Sequence, residues 1–252
     1  MKICILGNSV GFRIRPPRNT IQEMTYSEIL ESHGHQVRNV SKSAIMLNEA
    51  FAYLEEDVIT FFPDIVILHY GIVEVSYRRT FRWTNNKTIV NYYTNRFFAR
   101  AFTFRTASNT IVHFLFRALN SVTRSLATLL GFQWQWLSTP RFLMVLQAVL
   151  ELISKETKAV IIVIGVTPCS ERMENILKGS RKNIAQVNAD MRAICDLFPS
   201  RVKYLDPDSF VRERNIDDLV PDGIHFSAEG HRQVAEKLLH LIENVSSGQP
   251  KT

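Results

Sequence analysis

The chain has 252 residues, 46% of them hydrophobic, which is enough for one sizeable core or one domain with a large insertion. Its formal charge of +6 is concentrated: no acidic residue lies between Glu74 and Glu151, where ten basic residues fall from Arg78 to Arg141, and the remainder is slightly acidic. Three cysteines (Cys4, Cys169, Cys195) exclude a closed disulfide framework and lack metal-ligand spacing, so no metal and no cofactor is expected.

Lys2–Gly7 reads as a buried strand and Thr20–His33 as a helix, with Ile21, Met24, Tyr26, Ile29 and Leu30 near helical spacing. Gln36–Ser41 is a second strand and Met46–Phe61 a second helix. Asp64–Tyr70 is a third strand, apolar on both faces, as a strand covered by helices should be. Residues 76–139 then interrupt the alternation with a basic, aromatic-rich stretch that reads as a helical insertion, and Pro140 opens the helix leading back. Ala159–Val166 is the fourth strand, Asn183–Phe198 a helix, Val202–Asp206 a short fifth strand, and Ser227–Asn244 a closing helix capped by Ser227. Strands separated by helices predict an α/β fold: a five-stranded parallel sheet in a three-layer α/β/α sandwich, one domain over 1–252. Ligands of such sheets bind at the carboxyl ends of the strands, where Ser9, Gly71, Cys169 and the Asp222–His225 loop all fall.

Asp222-Gly223-Ile224-His225 places a carboxylate three residues before an imidazole, and Ser9 follows the first strand after Gly7-Asn8. A serine hydroxyl is inert until its proton is removed. Histidine, with a reference pKa of about 6.5, accepts a proton near neutrality, and a carboxylate behind it fixes its tautomer. The rival reading has Ser9 and His225 as helix caps or packing residues. His231, inside the closing helix, is a weaker candidate that reads as packing or solvent-facing.

These segments resemble the SGNH (GDSL-type) hydrolase family. Gly7-Asn8-Ser9 stands where most members have Gly-Asp-Ser, Asn39-Val40-Ser41-Lys42-Ser43-Ala44 resembles the second block, and Tyr70-Gly71-Ile72-Val73-Glu74 the third. The last block is Asp222-Gly223-Ile224-His225. The resemblance implies the three-layer fold, with Ser9 as nucleophile, His225 as general base and Asp222 as its orienting carboxylate. It implies an oxyanion hole from the N–H groups of Ser9 and Ala44 and a third-block Asn. Val73 occupies that last position and cannot donate. A slow enzyme, a substitute donor such as Asn8 or an arginine, and a site kept only for binding are the three readings this leaves.

The resemblance further implies a serine esterase working through an acyl-serine, deacetylating a carbohydrate-like ester, with a sugar O-acetyltransferase and a non-catalytic binding protein as alternatives. Asn8, Arg13, Arg15, Gly71, Val73 and Arg78 are the candidate substrate contacts, since arginine suits carboxylate or phosphate capture. Arg13 and Arg15 read equally as solvated charges. The insertion reads as a lid with an aromatic core, as a surface for anionic membrane, or as a protein contact; no nucleic-acid motif accompanies its charge. The first residues are too short for a secretory leader, and Arg117, Arg124 and Arg141 break the apolar stretches, so a cytoplasmic location, peripheral to a membrane at most, is expected.

Overall fold

In the computed structural model, which describes residues 1–11, 23–42, 45–78, 130, 132–211 and 215–248, five strands form one sheet in the order β2-β1-β3-β4-β5. The strands are β1 (Lys2–Gly7), β2 (Gln36–Asn39), β3 (Ile65–His69), β4 (Val160–Ile164) and β5 (Val202–Leu205). Every neighbouring pair is parallel, with Ile3 opposite Ile65, Ile65 opposite Val160 and Ile161 opposite Val202. The central strands β1, β3 and β4 are buried on both faces, which is why they read as unbroken apolar runs. The edge strand β2 instead carries mostly exposed residues.

Helices cover both faces. On one, α1 (Tyr26–Ser32) packs on the long α9 (Ala228–Gly248). On the other, α2 (Leu47–Tyr53), α4 (Thr139–Glu156) and α6 (Ser180–Cys195) pack in succession. Short helices fill the connections: α3 (Ile72–Val75), α5 (Glu171–Ile176), α7 (Asp208–Val211) and α8 (Ile216–Leu219). Burying each large aliphatic side chain of this core contributes about 1.5–3 kcal/mol before entropy is counted. No helix among the described residues is long and apolar enough to cross a membrane.

The boundaries differ from the expected ones for identifiable reasons. The first helix starts at Tyr26, because Thr25 and Glu28 form a capping box: Thr25 Oγ1 accepts the Glu28 N–H, and Glu28 Oε2 accepts the Thr25 N–H at 2.8 Å. Met24 therefore lies outside the helix, and residues 20–22 lie outside the described residues. The second helix passes at Leu54 into a π-helical turn, Leu54–Ile59, closed by Thr60 N–H donating to Glu55 O. Pro140 lies in the first turn of α4, and the Ser227 hydroxyl accepts the Gly230 N–H at 3.1 Å at the start of α9, both as the residue types predict.

Residues 76–78 and 132–138, at the base of the insertion, are not helical. Arg78 and Trp134 exchange two backbone hydrogen bonds in an antiparallel bridge, of 2.9 and 3.0 Å. Gln135 Nε2 donates to Val75 O, and so does Asn183 Nδ2 of α6, each at 2.9 Å. The return arm is thus fastened to the turn that follows β3. Residues 79–129, on which the expectation of a helical, aromatic lid falls, lie outside the described residues.

The sheet order reverses between β1 and β3, and in such sheets the crevice at the carboxyl ends of those two strands is where ligands bind. Asn8-Ser9 leaves β1 at that crevice and Tyr70-Gly71 leaves β3.

Candidate active site

Ser9 opens a 3-10 turn, Ser9–Gly11, directly beyond β1 and is 7% exposed. The turn is capped by Asn8, whose Oδ1 accepts the Val10 N–H at 3.1 Å. Capping therefore falls to the residue before Ser9, which leaves the Ser9 hydroxyl available. Asn8 is fully buried, and its Nδ2 meets no acceptor among the described residues. Asn39 braces this turn against α1: its Nδ2 donates to Gly11 O at 3.3 Å and to Ser27 Oγ at 3.1 Å.

The Asp222–His225 loop folds around its own carboxylate. Asp222 Oδ1 accepts the N–H groups of Ile224 at 2.9 Å and His225 at 2.7 Å. Its other oxygen, Oδ2, accepts His225 Nδ1–H at 2.6 Å. That bond leaves Nε2 as the acceptor nitrogen, 2.9 Å from Ser9 Oγ. Burial pushes the Asp222 carboxyl up, but the bonds from the His225 ring and from the two backbone N–H groups outweigh it and hold the group below its ordinary value. Gly223 takes a φ of +79°, against Met173 of α5, and Arg172 of the same helix donates to Pro221 O at 2.6 Å. The short helix α5, which propensity alone does not announce, thus clamps the loop.

Beneath the loop lies a buried aromatic cluster. Phe226 stacks on His69 at 5.6 Å between ring centroids and meets His231 edge-on at 5.6 Å. His69 Nδ1 and Tyr26 Oη are 3.3 Å apart, and His231 Nδ1 accepts the Tyr26 N–H at 3.3 Å. Burial, then the neighbouring His231, pushes His69 down to about 3, so its ring is neutral. His231, expected either to pack or to face solvent, is wholly buried and packs. His69 and Tyr26 were not singled out by the sequence reading; the one signal was a polar residue closing an otherwise apolar strand.

At the end of β3, Gly71 has a φ of +115° and a Cβ there would run into the Val166 side chain. Gly71→Ala is accordingly expected to destabilise the fold by about 2–4 kcal/mol, from the left-handed backbone and the overpacking together, read as a shift in the urea unfolding midpoint. Val73 is buried in α3 and offers no donor. Its neighbour Glu74 is wholly buried, accepting the N–H groups of Leu47 at 2.8 Å and Gly71 at 2.9 Å.

The structure brings Ser9, His225, Asp222 and Asn8 to this edge of the sheet, together with the turn carrying Gly71 and Val73. Arg78 is engaged at the base of the insertion: its guanidinium lies over the Trp136 ring at 4.4 Å and donates to Ile72 O at 3.3 Å. Ala44, Arg13 and Arg15 lie outside the described residues. Cys4 and Cys195 are buried, with thiols pushed up to about 12 first by burial. Cys169 is also shifted upward, by burial first and then by Glu174 and Asp217, which disfavours its thiolate.

Residues 23–233 match the GDSL-like lipase/acylhydrolase family. No curated protein matches the chain. Among solved structures, an acetylxylan esterase from Geobacillus stearothermophilus is similar with 16% identity over 95% of this chain and 92% of that one, at a TM-score of 0.56. Catalytic mutants of that esterase replace a serine, an aspartate and a histidine, the last two three positions apart. A GDSL-like lipase from Bacteroides thetaiotaomicron is 15% identical over 97% of this chain and 88% of its own, at 0.55. An alpha/beta hydrolase enzyme from the metagenome of Lake Arreo, Spain, is 14% identical over 95% and 93%, at 0.56. At these identities the likeness is one of fold.

Proposed function

The chain belongs to the GDSL-like lipase/acylhydrolase family, and on that premise we propose that it is a serine esterase whose nucleophile is Ser9, whose general base is His225 and whose orienting carboxylate is Asp222. The observation that carries this reading is the hydrogen-bonded line from Asp222 Oδ2 through the His225 ring to Ser9 Oγ, with links of 2.6 and 2.9 Å.

The chemistry follows from that line. As Ser9 Oγ attacks the ester carbonyl, its proton passes to His225 Nε2, and the imidazolium is stabilised by Asp222. His225 returns the proton to the departing alcohol as the carbonyl re-forms, leaving acyl-Ser9. Water then attacks the acyl group, gives its proton to His225 and releases the acid, with the proton restored to Ser9 Oγ. For the negative oxygen formed in each addition, the family resemblance assigns main-chain donors, the Ser9 N–H and that of Ala44. Asn8 Nδ2, a buried donor beside Ser9, is the candidate for the role that Val73 cannot fill. One such donor is worth about 10²–10³ in rate.

We assign the substrate to small acyl esters, acetyl first, on a carbohydrate-like alcohol. The similarity in fold to an acetylxylan esterase supports that choice, with Arg13 and Arg15 as polar contacts and Gly71 and Val73 bordering the acyl group. The buried, non-donating Val73 is the specific observation favouring a second reading, a binding protein on the same fold.

The test is labelling with a fluorophosphonate probe, followed by acetate release from acetylated xylo-oligosaccharides with and without a sugar acceptor. Labelling at Ser9 with acetate release supports the esterase, and acyl appearing on the acceptor marks a transferase. Folded protein that takes no label overturns both in favour of binding.

A further inference from the structure

A cleft of about 280 Å³ opens at the carboxyl ends of β4 and β5, beside the triad. One wall is a face of α6, and the other is made by the turns that leave those two strands. Specific contacts fix both walls. Asn188 of α6 commits both ends of its amide to Val166, donating to the carbonyl at 2.7 Å and accepting the N–H at 2.8 Å. Gly165 lets Tyr204 lie across the end of β4, since a Cβ there would stand 2.2 Å from Tyr204 Oη. Arg192 of α6 lies over the Tyr204 ring at 5.0 Å and pairs with Asp206. Ala185 and Ala189, exposed on the same helix face, leave the space that longer side chains would fill.

The cleft adjoins the site through two contacts. Val166, held by Asn188 at the cleft, packs its side chain against Gly71. Met173, a few residues beyond the Pro168-Cys169 wall, packs against Gly223 of the catalytic loop. Neighbouring strands lie about 4.8 Å apart, so the ends of β4 and β5 are about 10–15 Å across the sheet from the end of β1, where Ser9 stands. We propose that this cleft is a subsite for a neutral sugar unit, further along the substrate chain than the unit whose acyl group meets Ser9. The proposal rests on the esterase reading above and says where the carbohydrate part of that substrate is held.

The lining selects that chemistry. Arg192 and Asp206 present donors and an acceptor side by side. A vicinal diol both donates and accepts, and so matches the pair. Asp206 keeps acceptor capacity for it, since Oδ1 takes one further bond, from the Asp208 N–H at 3.0 Å. A phosphate or carboxylate would meet Asp206 and Asp208, and an ammonium would meet Arg181 and Arg192. Glu174, whose oxygens accept the Gly179 and Arg181 N–H groups at 2.7 Å, also acts on Arg181 and weighs further against an anion. Tyr204 Oη is buried with no partner among the described residues, and a sugar hydroxyl beside the ring supplies one. Ile184 offers apolar surface to the C–H face of the sugar.

The experiment is calorimetric binding of xylo-, cello- and manno-oligosaccharides to wild type, Ala189→Phe and Arg192→Gln, with folding followed by circular dichroism. Hydrolysis of acetylated xylo-oligosaccharides and of 4-nitrophenyl acetate is measured alongside. At least one neutral oligosaccharide is expected to bind wild type. Ala189→Phe fills the cleft from an exposed helix position and Arg192→Gln removes the guanidinium, and each should weaken that binding roughly tenfold or more. The ratio of kcat/KM on the acetylated oligosaccharide to that on 4-nitrophenyl acetate should fall by a similar factor, through KM. A merely structural role would lower both substrates together. The two variants act by different means, so either serves if the other does not fold. The proposal is overturned if no neutral oligosaccharide binds, if oligogalacturonate binds in preference, or if the folded variants bind and discriminate as wild type does. Protein that hydrolyses 4-nitrophenyl acetate but fails these tests keeps the esterase reading and loses the subsite. Protein that binds sugar through the cleft but hydrolyses neither ester keeps the subsite and loses the esterase reading.

Discussion

Ser9→Ala is expected to lower ester turnover on the order of 10⁶-fold and to abolish fluorophosphonate labelling while leaving the fold intact. The loss is large because, among the described residues, no other hydroxyl or thiol stands in the line to His225. Cys4 lies within β1, and Cys169 is held in its protonated form by burial. Any residual rate comes from the oxyanion donors and from binding, which do not need the nucleophile. Stability changes little, since the turn is capped by Asn8 and the missing hydroxyl leaves His225 Nε2 in a side chain still 17% exposed to solvent. Steady-state turnover, mass spectrometry of the labelled protein and urea unfolding, taken together, check all three parts. Turnover by Ser9→Ala within tenfold of wild type would remove Ser9 from the mechanism.

Asp222→Asn is the second large effect, about 10⁴-fold in kcat. The Asn carbonyl oxygen can go on accepting the N–H groups of Ile224 and His225, so the loop keeps its shape. Its amide nitrogen, however, faces His225 Nδ1 where Oδ2 now accepts. The imidazole must then carry its proton on Nε2, the nitrogen that faces Ser9, and it no longer accepts the hydroxyl proton. Asp222→Asn and Ser9→Ala together should cost scarcely more than Ser9→Ala alone, because groups that act as a unit are not additive. Near-additive losses in that double mutant would separate Asp222 from the serine.

Glu74 is a wholly buried carboxylate that the fold disfavours in its charged form. Its folded pKa of about 7 lies above the ordinary 4.5, so its contribution to stability is full below pH 4.5 and is lost as pH rises through about 7. The unfolding midpoint of Glu74→Gln, relative to wild type, is therefore expected to rise between those two pH values, measured by thermal melts.

The parts of the fold legible from sequence are those with a physical signature. The runs that became β1, β3 and β4 are apolar because helices cover both faces of the sheet, and such runs read as strands without a motif. The start of the first helix was misplaced because Ile21 and Met24 sit at helical spacing while Thr25 and Glu28 cap the chain beyond them. The four- and six-residue helices α3, α5, α7 and α8 were missed because so short a helix is set by its contacts and not by its propensity.

In the site, the meeting of Ser9 with His225 was legible from the family blocks, and Ser9 also from its place at the end of β1. The support beneath them was not. Tyr26, His69 and Phe226 look like ordinary core residues until their rings are seen in contact. Glu74 reads from sequence as an exposed acid, and only its two backbone N–H partners account for its burial among apolar residues.

Ser9 and His225 are 216 positions apart in the chain. A ribosome that has passed Leu205 has already made all five strands and the serine, but not the imidazole that would activate it. Throughout most of translation the hydroxyl is therefore as unreactive as any other alcohol. On the proposed chemistry its reactivity switches on only when the segment bearing His225 and Phe226 docks on His69, which makes chemical competence a late report that this segment has found its place on the sheet.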